Sequence, residues 1–385
     1  MNQILERFPI RGEVAPGYEP VRDAFAANFA KQGEHGAALH VTVNGEPIVD
    51  LWGGAAEKTQ TRAWGADDLV NVWSTTKGWL ALAMHLLADQ GRIDFDAPVA
   101  TYWPEFANNG KGGVRVKHVL THTSGLPAPS FKVPDAALYD WRAMTEALER
   151  STLWWEPGSQ AGYHAATFGW LNGEIVRRVS GQSVGQYLRA HIAEPLGADV
   201  ALGLTSVEQA RTVETLPPSA LGRLIFRVMF SLRPAGRAAF NNPPRAFDAV
   251  NTPRWREAEI PSSNGHASAR GLARLYTPLA LGGAWKGMRL LSEAAVMRAG
   301  QEQTRQNDVV IGMPVARTLG FMLPDPALGD PRPPSAFGHA GMGGSLGFAD
   351  PTNRLAFGYV MNQMVIGPDK RAMALCKAVY SCLRG

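Results

Sequence analysis

Two runs of strand-like residues, each turned back on itself, stand near opposite ends of the 385-residue chain. The first runs Ala37-Ala38-Leu39-His40-Val41-Thr42-Val43, turns on Asn44-Gly45 and returns as Glu46-Pro47-Ile48-Val49-Asp50-Leu51-Trp52, which reads as a hairpin. The second comprises Gly338 to Phe348 and Arg354 to Asn362, two strands joined around Asp350-Pro351-Thr352-Asn353. Between them the pattern is mainly helical. Helices are predicted from about Ser74 to Gln90, Trp141 to Arg150, Thr167 to Ser180 and Gln182 to Ala193, and a last one from Ser268 to Leu281. An amphipathic helix from Glu19 to Lys31, with Val21, Phe25 and Phe29 at four-residue steps, precedes the first hairpin, and another from Pro368 to Leu383 follows the second. Strands at both ends with helices between predict an α/β fold of the α+β type, an antiparallel sheet formed by both chain termini and flanked by helices. The expected division is a discontinuous sheet domain, 1–75 and 262–385, with 76–261 as an inserted, mainly helical domain.

Composition narrows what such a chain can do. Hydrophobic residues at 45% and charged residues at 19% describe an ordinary globular protein. The net charge of +4 comes with no block of Lys/Arg longer than a pair, which argues against nucleic acid as a partner. No stretch is long and apolar enough to span a bilayer. The first residues, Met1 to Pro9, hold no apolar core of signal-peptide length, so a cytoplasmic location is expected. Cys376 and Cys382 fall on different faces of one predicted helix, and no cofactor or metal fingerprint is present. The expected partner is a small molecule; nothing in the pattern reads out an oligomeric state. From Leu216 to Ser263 prolines break the pattern, and inside that flap-like region, 216–261, residues 221–230 are short, apolar and basic. They read as a flap over an active site, as an interfacial anchor, or as a helix packed on the body with its arginines in water.

The chemistry centres on Ser74-Thr75-Thr76-Lys77. Residues three apart share a helix face, so the lysine amine reaches the serine hydroxyl. At a helix start the free N–H groups and the positive end of the dipole disfavour a protonated lysine, which suits Lys77 to act as a base on Ser74. A serine cap followed by a solvated lysine would give the same two residues. Gly343-Gly344-Ser345-Leu346-Gly347 matches the G-x-S-x-G nucleophile elbow, but that motif needs a strand-to-helix turn. Here a turn and another strand follow, and no histidine lies beyond His339, so Ser345 is expected in or at the end of a strand, without a catalytic role. Tyr163, on the Gly-rich loop Glu156 to Ala165, is placed to present a phenol to a cleft and relay a proton. In Gly338-His339-Ala340-Gly341-Met342, the glycines permit close approach of a ligand, and a strand edge beside Ser74 can offer a second N–H to an oxyanion. His339 is either a polar wall of the site or a structural histidine.

Taken together, Ser74-x-x-Lys77, Thr121-His122-Thr123-Ser124-Gly125-Leu126, the segment Pro157-Gly158 to Tyr163 and His339-Ala340-Gly341 resemble, in order and context, the serine β-lactamase and penicillin-binding-protein superfamily. Within it the chain is most similar to the family VIII carboxylesterases, relatives of class C β-lactamases, over roughly residues 20 to 380. The resemblance implies Ser74 as acylated nucleophile, Lys77 as its base or proton partner and Tyr163 as third catalytic residue. It implies an oxyanion hole from the backbone N–H groups of Ser74 and Met342, with His339 and Gly341 lining the substrate. It also implies that a G-x-S-x-G in this family is non-catalytic, and that no cofactor is used. Two departures bear on substrate. Ala165 stands where β-lactam-handling members have an asparagine, and His339 replaces the lysine of their K-T-G strand, weakening carboxylate recognition. The implied activity is hydrolysis of short- to medium-chain carboxylic esters. β-Lactam, D-alanyl peptide or linear-amide hydrolysis on the same scaffold, or a non-catalytic binding module, remain the alternatives.

Overall fold

Asn44 and Gly45 both have positive φ, 54° and 81°, the two left-handed positions of the tight turn that suits the right-handed twist of a hairpin. The computed structural model describes residues 3–244, 247–367 and 369–384. Its main sheet contains β1 (Arg11–Val14), β2 (Gly36–Val43), β3 (Glu46–Gly54), β4 (Phe337–Ala340), β5 (Leu346–Asp350) and β6 (Leu355–Met361). The order is β1-β3-β2-β6-β5-β4, antiparallel throughout. The two hairpins meet at β2 and β6, with Leu355 opposite Val43 and Met361 opposite Ala37.

The helices used below are α1 (Glu19–Lys31), α2 (Thr76–Asp89), α3 (Thr167–Ser180), α4 (Ala220–Ser231), α5 (Pro234–Asn241), α6 (Ala269–Ala280) and α7 (Arg371–Arg384). Residue Pro368, where the sequence pattern starts the last helix, lies outside the described residues. Side chains alternate across a strand, and the two faces of the sheet differ in size. Leu39, Val41, Phe348, Phe357 and Tyr359 pack with Val21 and Phe25 of α1 and Leu375 and Val379 of α7. The opposite face carries small residues and lies against α6. A Cβ on Gly358 would stand 2.5 Å from Ala269 O and 2.6 Å from Ala273 N, so the helix backbone seats directly on the strand. Beyond α6, one buried cluster runs on through Trp79 and Leu80 of α2 to Phe168 and Trp170 of α3.

The structure departs from the sequence reading at Gly338 to Phe348, which is not one strand. It is an antiparallel pair, β4 and β5, in which Phe337 faces Ala349 and Ala340 faces Leu346. Gly343 and Gly344 adopt φ of 95° and 131° between them, conformations open to glycine and hostile to other residues. Ser345 immediately precedes β5. Glycines recur throughout 338–348, so the pair that makes the turn did not stand out from its neighbours. Short pairings also escaped the pattern, such as Val70–Asn71 with His266–Ala267, because two-residue strands carry no period.

The close seat of α6 on β6 gives a direct test. Gly358→Ala is expected to lower stability by about 1–3 kcal/mol, the usual cost of overpacking, read as a reduced urea midpoint with an unchanged slope.

Candidate active site

The segment before α2 is bent sharply. Trp73 has φ of 48°, a strained conformation for a bulky residue, costing on the order of 1–3 kcal/mol. Burial holds it there: its ring lies 5.6 Å from that of Trp255 and 6.0 Å from that of Phe247. The Thr76 hydroxyl donates to Trp73 O at 2.6 Å and accepts from Gly265 N at 2.9 Å. Val72 and Thr75 on either side are fully buried, while Ser74 between them is only half-buried. The bend thus presents one hydroxyl, on a single 3₁₀ turn running into α2.

Lys77 is fully buried, and its amine is held at three points. Nζ lies 3.1 Å from Ser74 Oγ, 3.0 Å from Ala165 O and 2.9 Å from Ser262 O. As an ammonium it donates to all three. As a neutral amine it has two N–H groups for the two carbonyls and a lone pair left for the Ser74 proton. The same cradle therefore serves both protonation states, which a proton shuttle requires. Ser262 locks the cradle, its hydroxyl donating to Ala166 O at 2.7 Å and accepting from Gly169 N at 2.6 Å.

Tyr163 meets this pair from the loop before α3, its ring centroid 4.9 Å from Lys77 Nζ. Its backbone N–H donates to Asp308 Oδ1 at 3.1 Å, and the Val310 and Ile311 N–H groups donate to the same oxygen at 2.8 Å each. Arg317 pairs with the other carboxylate oxygen, both side chains being buried. Behind the phenol, His122 at φ 62° packs its ring 5.0 Å from that of Tyr163. His122 Nδ1 accepts from His164 N at 3.0 Å, and His164 bonds Ser124 Oγ and Gly162 O, each at 2.6 Å. The Thr121 to Leu126 loop is thus the backing of Tyr163.

The β4–β5 turn closes the site from the sheet side. A Cβ on Gly341 would stand 2.1 Å from Ser345 Oγ and 2.2 Å from Val72 O, so only glycine lets the turn touch the segment carrying Ser74. The next residue, Met342, lines the same cavity as Ser74, and among the described residues its N–H has no hydrogen-bond acceptor. Arg371 braces the turn: it donates to Gly343 O at 2.6 Å, Gln363 O at 3.0 Å and Glu34 at 2.8 Å, and also to Asp369. The Ser345 hydroxyl is buried, donating to Val72 O at 2.9 Å and lying 3.0 Å from Thr75 Oγ1. It fastens the turn beneath Ser74. His339 is buried too, with Nδ1 2.7 Å from Ala340 O and no partner for Nε2 among the described residues. Burial, and then the nearby Lys77 charge, push its pKa down to about 3, so it is neutral near pH 7.

Ser74, Tyr163, Ala165, His339, Gly341 and Met342 share one cavity of about 700 Å³. Its remaining wall is mostly apolar, including Ile225, Phe226, Phe230, Phe240, Met322 and Val365. Among the described lining residues Asp369 is the charged one, and Arg371 holds it. Sequence reading brought Ser74, Lys77 and Tyr163 forward and passed over Asp308, Arg317, Arg371 and Ser262. These act through burial and backbone contact, and the sequence marks them weakly: Asp308 and Arg317 as single charges among mostly apolar neighbours, Arg371 within Asp369-Lys370-Arg371, and Ser262 as an ordinary serine.

With that geometry in place, known proteins supply a frame. The Beta-lactamase family model matches residues 21–378. The chain is 36% identical over 368 residues to the Esterase/beta-lactamase LipL of Mycobacterium tuberculosis, covering 92% of this chain and 83% of that protein. A crystal structure of a family VIII carboxylesterase superposes with a TM-score of 0.90 at 41% identity, over 97% of this chain and 99% of that one. A penicillin-binding protein homolog from Caulobacter crescentus superposes with a TM-score of 0.90 at 38% identity, over 97% and 99% of the two chains.

The buried histidines make the site sensitive to acid. Burial lowers His164 from 6.5 to about 4; an unfolded chain therefore takes up a proton in that window that the folded chain refuses. Its contribution to stability is complete above pH 6.5 and is lost as pH falls toward about 4. Urea titrations across this range should give the parent a steeper fall in unfolding free energy than His164→Asn, by about 1.4 kcal/mol per pH unit. Equal slopes would contradict a neutral, buried His164. Asp308→Ala strands Arg317 in the interior, with an expected loss of about 3–5 kcal/mol by denaturant titration.

Proposed function

The chain belongs to the beta-lactamase family and is a serine hydrolase of the family VIII carboxylesterase type, and on that premise we propose that it hydrolyses short- to medium-chain carboxylic esters through an acyl-enzyme on Ser74. The observation that carries this reading is the Lys77 amine, 3.1 Å from Ser74 Oγ and anchored by two carbonyls, at the foot of a largely apolar cavity.

In the first half-reaction Ser74 Oγ bonds to the ester carbonyl carbon while its proton passes to Lys77. The tetrahedral oxyanion is received by the Ser74 and Met342 N–H groups. The alkoxy C–O bond then breaks, and the proton reaches the leaving alcohol through Tyr163. In the second half-reaction water attacks the acyl carbon and passes a proton to the Tyr163–Lys77 pair; the acyl C–Oγ bond of Ser74 then breaks, Oγ takes that proton back, and the carboxylic acid leaves.

Selectivity follows from what surrounds the pair. A β-lactam carries a carboxylate that needs a fixed cation, and the position resembling that lysine holds the neutral His339. Ala165 supplies no side-chain amide. The apolar wall suits an acyl chain, and about 700 Å³ accommodates one of modest length. The name of the M. tuberculosis relative couples esterase with β-lactamase, which makes β-lactam turnover the second reading to measure. A cytoplasmic location is part of the same proposal.

The deciding assay compares p-nitrophenyl butyrate, p-nitrophenyl palmitate and nitrocefin at equal enzyme. Butyrate is expected to lead, and Ser74→Ala to lower its kcat by at least about a thousandfold. Fluorophosphonate labelling, read by intact mass, should vanish in Ser74→Ala and persist in Ser345→Ala. Rapid nitrocefin turnover with little ester hydrolysis would overturn the assignment, as would loss of labelling only in Ser345→Ala.

A further inference from the structure

Helix α4 is apolar on two sides. Inward, the rings of Phe226 and Phe230 lie 5.4 Å and 4.0 Å from that of Phe240, and Phe226 lies 5.4 Å from Phe247. Phe240 stands 6.4 Å from Tyr163 and Phe247 6.0 Å from Trp73, so this face roofs the cavity. Outward, Leu221, Leu224 and Val228, with Leu232 just past the helix end, follow at steps of three and four along one side. They are 66%, 55%, 52% and 75% exposed. Such a stripe is a patch rather than the scattered leucines of an ordinary surface.

Charge beside the stripe is of one sign. Arg223 and Arg227 lie on α4, Arg233 and Arg237 at and within α5, all exposed. No Asp or Glu occurs between Glu214 and Asp248. Both ends of this unit are fixed to the body. Leu216 N donates to Asn362 O at 2.8 Å, and the Asn242 side chain bonds Phe131 O at 2.8 Å and Val133 N at 3.0 Å.

We propose that the outer face of α4, with the α5 arginines, docks this protein onto an anionic lipid surface. Leu221, Leu224, Val228 and Leu232 enter the boundary between headgroups and acyl chains, and the arginines meet lipid phosphates. A second copy of the chain fits less well. Two-fold packing of this face would set its arginines against their own images, with no carboxylates on the unit to offset them. An anionic interface satisfies the apolar stripe and the positive charge at once. Docking stands independently of the ester-hydrolase reading, since it draws on residues outside the cavity wall.

Vesicle cosedimentation with the full chain tests this. The protein is expected to pellet with phosphatidylcholine vesicles containing phosphatidylglycerol, far less with phosphatidylcholine alone, and to be released by salt. Leu224→Glu with Val228→Glu should weaken binding at least about tenfold, and Arg223→Gln with Arg227→Gln several-fold, with soluble-ester turnover retained in both. The parent protein decides the matter even where a variant folds poorly. Folded parent left in the supernatant with both vesicle types would overturn the proposal. Equal, salt-independent binding to both types would do the same, as would a concentration-dependent dimer abolished by the Leu224 and Val228 changes without vesicle binding.

Discussion

A single buried amine holds this site together. Lys77 comes from α2, and the atoms it touches come from the turn before that helix, the loop before α3 and the residue Ser262. An amine enclosed without acceptors would cost several kcal/mol, so each of these segments must be in place for the others to be tolerated. The carbonyls of Ala165 and Ser262 do two jobs. They stabilise a charge in the interior, and they fix the direction of the one remaining valence toward Ser74. On the proposed reading, structural need and chemical use coincide in the same three contacts.

Around that centre, the sheet and its flanking helices act as a frame whose smallest residues matter most. Gly358 lets α6 lie on β6, and Gly341 lets the β4–β5 turn reach Val72. The ionic groups work at one remove. Asp308 gathers three N–H groups beneath Tyr163 with Arg317 against its far oxygen, and Arg371 grips Gly343 O. None of these lies at the Ser74–Lys77 contact, yet each fixes a segment that borders it.

What the sequence disclosed follows the same division. The Asn44-Gly45 turn, the four-residue steps of Val21, Phe25 and Phe29, and Ser74 with Lys77 three residues on are local patterns, and local geometry dictates them. The sheet joining both termini was legible because two hairpins stood at opposite ends of a helical middle. Hidden were features set by distant partners. The left-handed Trp73 depends on Trp255 and Phe247, far along the chain. The break between β4 and β5 was masked by the glycines that recur on either side of Gly343 and Gly344. Ser345, set aside for want of a following helix, turned out to have its hydroxyl bonded beneath the very turn it imitates.

The pairing of β2 with β6 carries a consequence for how the protein comes into being. Ser74, Lys77 and Tyr163 all lie in the first half of the chain, whereas the turn bearing Met342 and its Arg371 brace come from the last fifth. A chain growing from its N-terminus therefore holds its serine and lysine long before the turn that completes their pocket exists. Contacts of such long sequence separation form late and slowly. The order of synthesis thus keeps Ser74 and Lys77 without their full surroundings until the final strands have joined the sheet.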